Sequence, residues 1–299
     1  MDLVHSLFEC WHDGVVPALW LNRYTDNVNE LLLCVVDVVR VRGVTQLRDV
    51  VYVVCYRSSR IRTFSSTTHQ RLTDINVSGL RHAWDIAGCE QTSHVYVADN
   101  WECVWRVSSD GEDVKRWLPK SPSDTFRPYT LSVTSSRLLV TSGSTQQLTL
   151  YDADGDELSR VRLPDYMNRL LDYMNPYHAV ESPTGTFIVC HRNTQLRQYH
   201  VSEVSNEGQV LRQFSGPLGY SPLTWSCHIA IDSQGNIFVA DYGNHRILLL
   251  DTQLALHHVI IDKFHHGSVR PERLCYIEQS GQLLVVLNKR VAVFDVLQW

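Results

Sequence analysis

A short apolar strand recurs along this chain at regular intervals. It is clearest at Ile237 to Ala240, where a polar loop follows and a second strand runs from Arg246 to Leu250. Weaker copies begin near residues 51, 95, 138, 187 and 283, so the period is about 43 to 50 residues. A four-stranded propeller blade needs about this length. The sequence therefore predicts an all-β fold, a six-bladed β-propeller.

The clearest copy carries a specific motif. It combines the turn Gly235-Asn236, the strand Phe238-Val-Ala-Asp241 and the run Asn244-His-Arg-Ile247. This block resembles the NHL repeat, and the chain is similar to the C-terminal NHL domains of TRIM-type proteins. The resemblance implies a rigid disc that binds protein or RNA. No RING, B-box or coiled-coil pattern occurs, so a ubiquitin-ligase assembly would involve domains outside this chain.

The last repeat ends after its third strand. We expect Glu30 to Val39 to supply the missing fourth strand, because an open propeller would leave an unpaired blade edge. The predicted domains are therefore residues 30–299, a propeller, and residues 1–29, which match nothing in the repeat. Asp165-Tyr-Met-Asn168 recurs as Asp172-Tyr-Met-Asn175, which we interpret as a duplication in a surface loop.

Composition favours a cytoplasmic protein that does not bind membranes. The formal net charge is −5, which gives no overall attraction to nucleic acid or anionic lipid. The apolar run Leu31 to Val41 is too short to span a bilayer, and no secretory signal is visible. Cys55 and Cys190 hold equivalent repeat positions, which favours reduced small residues over a disulfide framework.

Charge is distributed unevenly between the two faces of the predicted disc. Basic residues outnumber acidic ones in the inter-blade loops, and aromatic residues are interleaved with them, whereas the opposite face is acidic. Arginine with aromatic planes is typical of single-stranded RNA binding and of protein interfaces. The predicted ligand-binding residues are Arg57, Arg81, Trp84, Arg127, Tyr129, Tyr177, His178, Arg192, Trp225, His228, Tyr242 and Arg270.

These patterns predict a non-enzymatic scaffold for a protein or single-stranded RNA partner, with no catalytic residue and no cofactor. Some of the arginines have a structural alternative. Arg246 holds the arginine position of the repeat, where pairing with Asp241 inside the blade is expected.

The alternative is an enzyme centred on the channel, a metal-dependent lyase or hydrolase similar to the NHL-type peptide-amidating lyase. Three histidines precede or begin first strands: His82, His178 and His228. By sequence register, however, Trp84 and Tyr129 match His228 in their repeats. Only His178 and His228 are then in register, and a zinc site needs at least three ligands, so we expect no metal.

Overall fold

The structure is a computed structural model. It describes residues 23–25, 28–34, 40–99, 102–119, 127–142, 146–164, 174–193, 198–217, 221–225, 227–262 and 270–296. Most of the duplicated Asp-Tyr-Met-Asn segment lies outside these ranges, as does most of residues 1–29.

The described residues form antiparallel strands and very little helix. The strands are β1 (Arg23–Thr25), β2 (Val28–Cys34), β3 (Val41–Leu47), β4 (Val50–Cys55), β5 (Arg60–Ser65), β6 (Ile75–Asn76), β7 (Ala83–Cys89), β8 (His94–Asp99), β9 (Cys103–Ser108), β10 (Val114–Pro119), β11 (Pro128–Thr134), β12 (Arg137–Ser142), β13 (Gln147–Tyr151), β14 (Glu157–Arg162), β15 (Met174–Glu181), β16 (Phe187–Asn193), β17 (Tyr199–Val204), β18 (Val210–Phe214), β19 (Cys227–Ile231), β20 (Ile237–Asp241), β21 (Arg246–Leu250), β22 (Leu256–Ile261), β23 (Arg273–Ile277), β24 (Gln282–Leu287) and β25 (Arg290–Asp295).

The strands form six sheets, which are the blades of a propeller. Blade 1 is β3 to β6, blade 2 is β7 to β10, blade 3 is β11 to β14, blade 4 is β15 to β18 and blade 5 is β19 to β22, each with its strands in chain order. The first strands of neighbouring blades contact one another in sequence, and β23 contacts β3. The first strands therefore surround a central channel, and the six-bladed prediction is confirmed.

Blade 6 is completed from the N-terminal side of the chain, as predicted. Its order is β1-β2-β25-β24-β23, with Glu30 opposite Phe294 and Cys34 opposite Arg290. The closing strand is β2, Val28–Cys34, so it begins before the predicted Glu30. A further short strand, β1, pairs with β2 at the outer edge, which the repeat pattern did not predict.

The apolar core lies between the blades. Among the described residues, buried side chains form clusters that each join two neighbouring blades; one contains Val54 and Ile61 of blade 1 with Val95 and Val97 of blade 2. The apolar strand residues of each repeat are thus buried against the next repeat, as repeat architectures require.

The acidic turns of the repeat stabilise backbone rather than bind ligands. Asp232 Oδ1 accepts hydrogen bonds from the backbone N–H groups of Gln234 at 3.0 Å and Asn236 at 2.8 Å, and Gly235 has a φ of 91°. Asp152 Oδ1 accepts from Asp154 and Asp156 in the same way. These carboxylates are already engaged by the turns that they cap.

Two expectations about cysteine and membranes can be compared with the structure. Cys55 is a free, buried thiol, but Cys190 is disulfide-bonded, so the prediction of a reduced residue there is wrong. The prediction compared positions in the repeat, and such a comparison does not show how far Cys190 lies from another cysteine. Within the described ranges, we find no helix with the length and hydropathy of a membrane span.

Candidate active site

Strand pairing defines one layer of the channel. His228 lies opposite Ala240 in blade 5, and Asp85 lies opposite Ala98 in blade 2. Both alanines hold the second position of a Val-Ala-Asp sequence, so Asp85 and His228 are equivalent. His178 faces Cys190 at the corresponding position of blade 4. The residues of this channel layer are Gly43, Asp85, Thr130, His178, His228 and Arg273.

The predicted register of two residues is wrong because of β-bulges. The pairing of β7 with β8 shifts between Ala83 and Asp85, so Trp84 is an extra residue and Asp85 matches His228. In β11 the shift lies between Pro128 and Leu131, so Tyr129 does not by itself fill the equivalent place. A bulge places two residues opposite one, and this changes every later position in the strand.

Three buried side chains of the channel layer converge. Asp85 and His178 are each 2% exposed and His228 is 5% exposed. Their nearest oxygen and nitrogen atoms all lie within 4.8 Å of one another. The imidazole rings of His178 and His228 stack with centroids 3.6 Å apart, and Asp85 Oδ2 lies 4.0 Å from His228 Nε2.

Backbone hydrogen bonds orient both imidazoles. The N–H of Leu274 lies 3.2 Å from His228 Nδ1, and the N–H of Ile229 lies 3.5 Å from His178 Nδ1. Each Nδ1 therefore acts as the acceptor, and the neutral ring carries its proton on Nε2. His178 Nε2 can donate to the carbonyl oxygen of Leu131 at 3.3 Å. His228 Nε2 is buried and has no hydrogen-bond partner among the described residues.

Burial decides the protonation of the layer. It lowers the pKa of His228 and of His178 well below the ordinary value, and for His178 the neighbouring His228 adds to the effect. Both rings are therefore neutral at physiological pH. Burial also raises the pKa of Asp85, although Arg273 and His178 oppose that shift. A carboxylate of raised pKa is a stronger base than an exposed one.

Arg273 supplies the positive charge of the layer. Its Nε lies 3.6 Å from Asp85 Oδ1, and its Nη1 donates to the carbonyl oxygen of Glu272 at 2.9 Å. Asp85 Oδ2 also accepts from the backbone N–H of Leu131 at 2.9 Å. Asp85 is thus held in place by backbone hydrogen bonds from Leu131 and Ile86 and by one long ionic contact.

Whether a metal ion fits can be judged from the donors. Two imidazoles and a carboxylate are ligand types of divalent transition metals. Ligands about 2.0–2.1 Å from a tetrahedral zinc lie about 3.4 Å apart, so the cluster would have to contract. A cation on Nε2 would also displace the backbone N–H groups from Nδ1, and it would lie near Arg273. The present arrangement fits proton transfer better than cation binding.

A cavity of about 220 Å³ occupies the channel beside this layer. His178 and His228 line it, together with later residues of the first strands such as Gln46, Ser132 and Tyr276. The histidines therefore lie at its inner end, and the cavity extends toward the face that carries the turns between first and second strands. A small ligand in this cavity would contact both rings.

Four of the other predicted residues lie around the channel near the inter-blade face. Trp84 and Tyr129 are half-buried, with ring centroids 5.3 Å apart, and Tyr129 lies 6.3 Å from Tyr177. The guanidinium of Arg192 lies 5.8 Å from the Tyr199 ring, which in turn contacts Tyr177. The structure therefore brings these four residues together.

The remaining predicted residues lie apart from this group. Trp225 is 67% exposed, its ring stacks near Tyr242 with centroids 6.4 Å apart, and Arg270 lies 5.5 Å from the Tyr242 ring. Arg57 and Arg81 are exposed and Arg127 is half-buried. The predicted face thus divides into a group at the channel, an outer aromatic patch and three arginines that belong to neither.

Sequence reasoning missed Asp85 and Arg273 as site residues. Asp85 was hidden by the bulge, and only the position of Ala98 in its Val-Ala-Asp strand could have indicated the true register. No other blade has an arginine at the channel position of Arg273, so the repeat gave no signal for it.

Comparisons with known proteins agree with the fold. The NHL repeat family model matches residues 229–248. No curated protein matches the chain significantly. Similar solved structures include a gluconolactonase from Xanthomonas campestris, with 11% identity and a TM-score of 0.65 over 90% of this chain and 89% of that one. A virginiamycin B lyase from Staphylococcus aureus has 10% identity and a TM-score of 0.61 over 91% and 99%. A streptogramin B lyase has 10% identity and a TM-score of 0.62 over 90% and 97%.

The prediction of a non-enzymatic scaffold is contradicted by these comparisons. The three solved structures named above carry enzyme names, which favours the enzyme alternative. Composition and loop charge could not indicate an enzyme, because a cluster of buried side chains from three blades does not change the charge of the surface loops. The protein or RNA partner and the similarity to TRIM-type domains stay predictions.

Proposed function

We propose that the protein is an enzyme, a hydrolase or lyase whose reacting centre is Asp85 with His178 and His228 in the channel layer. The observation that supports this most is that His228 Nε2, which is buried and has no hydrogen-bond partner among the described residues, faces Asp85 Oδ2 across 4.0 Å. A buried donor without an acceptor costs about 1–3 kcal/mol, so a fold retains one where a ligand satisfies it.

The gap between His228 Nε2 and Asp85 Oδ2 has room for one oxygen atom. An oxygen about 2.8 Å from each atom would span it at an angle of roughly 90°. Such an oxygen accepts from His228 Nε2–H and donates to Asp85, whose raised pKa favours taking up the proton. His178 stacks on His228 and fixes the plane of its ring.

A cyclic or simple ester is the substrate class that we propose, because similar structures carry the names gluconolactonase and virginiamycin B lyase. The test measures turnover of gluconolactone and p-nitrophenyl acetate by the protein and by Asp85→Asn and His228→Gln. We expect each variant to lose about 100-fold or more in rate, the usual contribution of a positioned acid or base. His82→Gln is the matched control, since His82 is half-buried just before β7 but lies outside the layer. Equal losses in all three variants, or no turnover of either probe, would overturn the proposal.

The second candidate is the metal-dependent form of the same enzyme. It is favoured by the convergence of two histidines and an aspartate from three blades. A bound divalent ion would polarise the substrate oxygen or lower the pKa of a bound water. Elemental analysis showing about one zinc per chain, lost in His178→Ala, together with turnover abolished by a chelator and restored by zinc, would select this form.

A further inference from the structure

Four blades carry a β-bulge at the same place, near the start of the first strand. The register shifts lie between Val41 and Gly43, Ala83 and Asp85, Pro128 and Leu131, and Pro176 and His178. The described pairings of β19 with β20 and of β23 with β24 are regular throughout. Bulges are common beside active sites, where they redirect a side chain.

The bulges place four side chains in contact, which we call the bulge row: Arg42, Trp84, Tyr129 and Tyr177. The guanidinium of Arg42 lies 4.1 Å from the Trp84 ring, and the aromatic contacts continue through Tyr129 to Tyr177. Each residue immediately precedes or adjoins the channel layer in its strand. The row is therefore a half-buried wall that spans four consecutive blades on the inter-blade side of the channel layer, opposite the cavity, so a substrate bound to it would reach the layer from that side.

The wall offers aromatic faces and positive charge at both ends. Arg42 Nε and Arg192 Nε are buried and have no hydrogen-bond partner in the parts of the chain that the structure describes. Neither guanidinium is paired with a described carboxylate, whereas the neighbouring Arg40 binds Glu272 at 2.9 Å. Burial and the nearby Arg40 and Arg273 lower the pKa of Arg42 to about 10, so it remains charged at neutral pH. The Arg42 guanidinium is half-buried and lies over the Tyr56 and Trp84 rings, and a cation with no carboxylate partner among the described residues can bind an anionic ligand.

We propose that the bulge row is the substrate-recognition site and that it selects a planar, aromatic carboxylate. The ring would stack on Trp84 and Tyr129, and the carboxylate would accept two hydrogen bonds from the planar guanidinium of Arg42. The inference rests on the proposed function in naming this ligand a substrate, but binding itself can be measured without turnover.

The experiment is a calorimetric titration with 2-naphthoate, compared with the neutral 2-naphthamide and the non-aromatic cyclohexanecarboxylate. We expect 2-naphthoate to bind about tenfold or more tightly than either, because it alone combines stacking with a charge-assisted bond. Arg42→Gln should weaken 2-naphthoate about tenfold and bring it level with 2-naphthamide. Arg57→Gln is the matched control, because Arg57 is an exposed arginine over Tyr56 on the same face, and it should change affinity less than twofold.

A second variant protects the test against a folding defect at Arg42. Trp84→Leu removes the stacking surface and should weaken 2-naphthoate and 2-naphthamide together. Equal binding of 2-naphthoate and 2-naphthamide to the protein, an effect of Arg57→Gln as large as that of Arg42→Gln, or unchanged 2-naphthoate binding by Trp84→Leu would each overturn the inference. Binding without any ester turnover would refute the proposed function and support the recognition site. Turnover without preferential 2-naphthoate binding would support the proposed function and refute the recognition site.

Discussion

Two buried aspartates differ in how completely their surroundings satisfy them. In blade 5, Asp241 accepts from the backbone N–H of Thr224 at 3.1 Å and from Asn244 at 2.8 Å, and it pairs with Arg246 at 2.7 Å. In the channel, Asp85 accepts from the backbone N–H groups of Leu131 and Ile86 and has an ionic contact at 3.6 Å. It faces His228 Nε2 at 4.0 Å, an atom with no hydrogen-bond partner among the described residues. The first arrangement stabilises a blade, and the second leaves bonding capacity for a ligand.

Blade 4 replaces the ion pair of blade 5 with a neutral pair. His191 lies opposite His200 where Asp241 lies opposite Arg246. His191 Nε2 lies 2.8 Å from the hydroxyl of Ser202, and His200 Nδ1 lies 2.8 Å from that of Ser215. The same place in the repeat can thus hold opposite charges or uncharged rings.

The largest expected loss of stability comes from removing one partner of the Asp241–Arg246 ion pair. Arg246→Met leaves the carboxylate of Asp241 buried with its charge uncompensated, so the free energy of unfolding should fall by about 3–5 kcal/mol. Urea denaturation measures it. The double variant Asp241→Asn with Arg246→Met should recover part of the loss, and a single-variant loss below about 1 kcal/mol would remove the basis of the comparison.

The neutral pair should make the protein sensitive to acid. Burial, then the neighbouring His200, lowers the pKa of His191 to about 3, so the folded state resists a proton that the unfolded chain binds below about 6.5. Stability is therefore complete above the unfolded pKa and is lost as the pH falls toward 3. Between pH 7.5 and pH 5 the loss is about 2 kcal/mol. The slope of unfolding free energy against pH should flatten in His191→Gln.

A smaller effect is expected in the channel. Asp85→Asn keeps an acceptor for the N–H of Leu131, and Arg273 keeps its bond to the carbonyl of Glu272, so stability should fall by about 1–2 kcal/mol. Chemical denaturation of Asp85→Asn and of Arg246→Met under the same conditions shows which variant loses more stability. A loss as large as that of Arg246→Met would mean that Asp85 is a structural residue.

The smallest effect concerns the outer aromatic patch. Trp225 is 67% exposed, so Trp225→Ser should change the free energy of unfolding by no more than about 0.5 kcal/mol. Thermal melting of the variant beside the parent protein provides the measurement. A large destabilisation would show that the contact with Tyr242 supports blade 5.

The blades were predictable from the sequence because each repeat consists of residues that are close together in the chain. Apolar strands and the turn at Gly235 recur at a fixed period, and the Asp241–Arg246 pair follows from the motif itself. The reacting centre was not predictable in this way. Its members come from three blades, and their shared layer depends on bulges that single-residue alignment cannot detect. The positions of Arg42 and Trp84 were not predictable for the same reason. Each is the extra residue of a β-bulge, and the repeat pattern does not include it.

Closure of the ring by β2 also governs the order of assembly. Glu30 pairs with Phe294, which is 264 residues later in the chain, so β2 is synthesised before the first five blades and its partner β25 after them. Contacts of such separation slow folding, since the chain must lose loop entropy before they form. Until β25 has left the ribosome, the edge that β2 covers stays open to other strands. The step most exposed to misfolding is therefore the final one, when the two distant ends of the propeller meet.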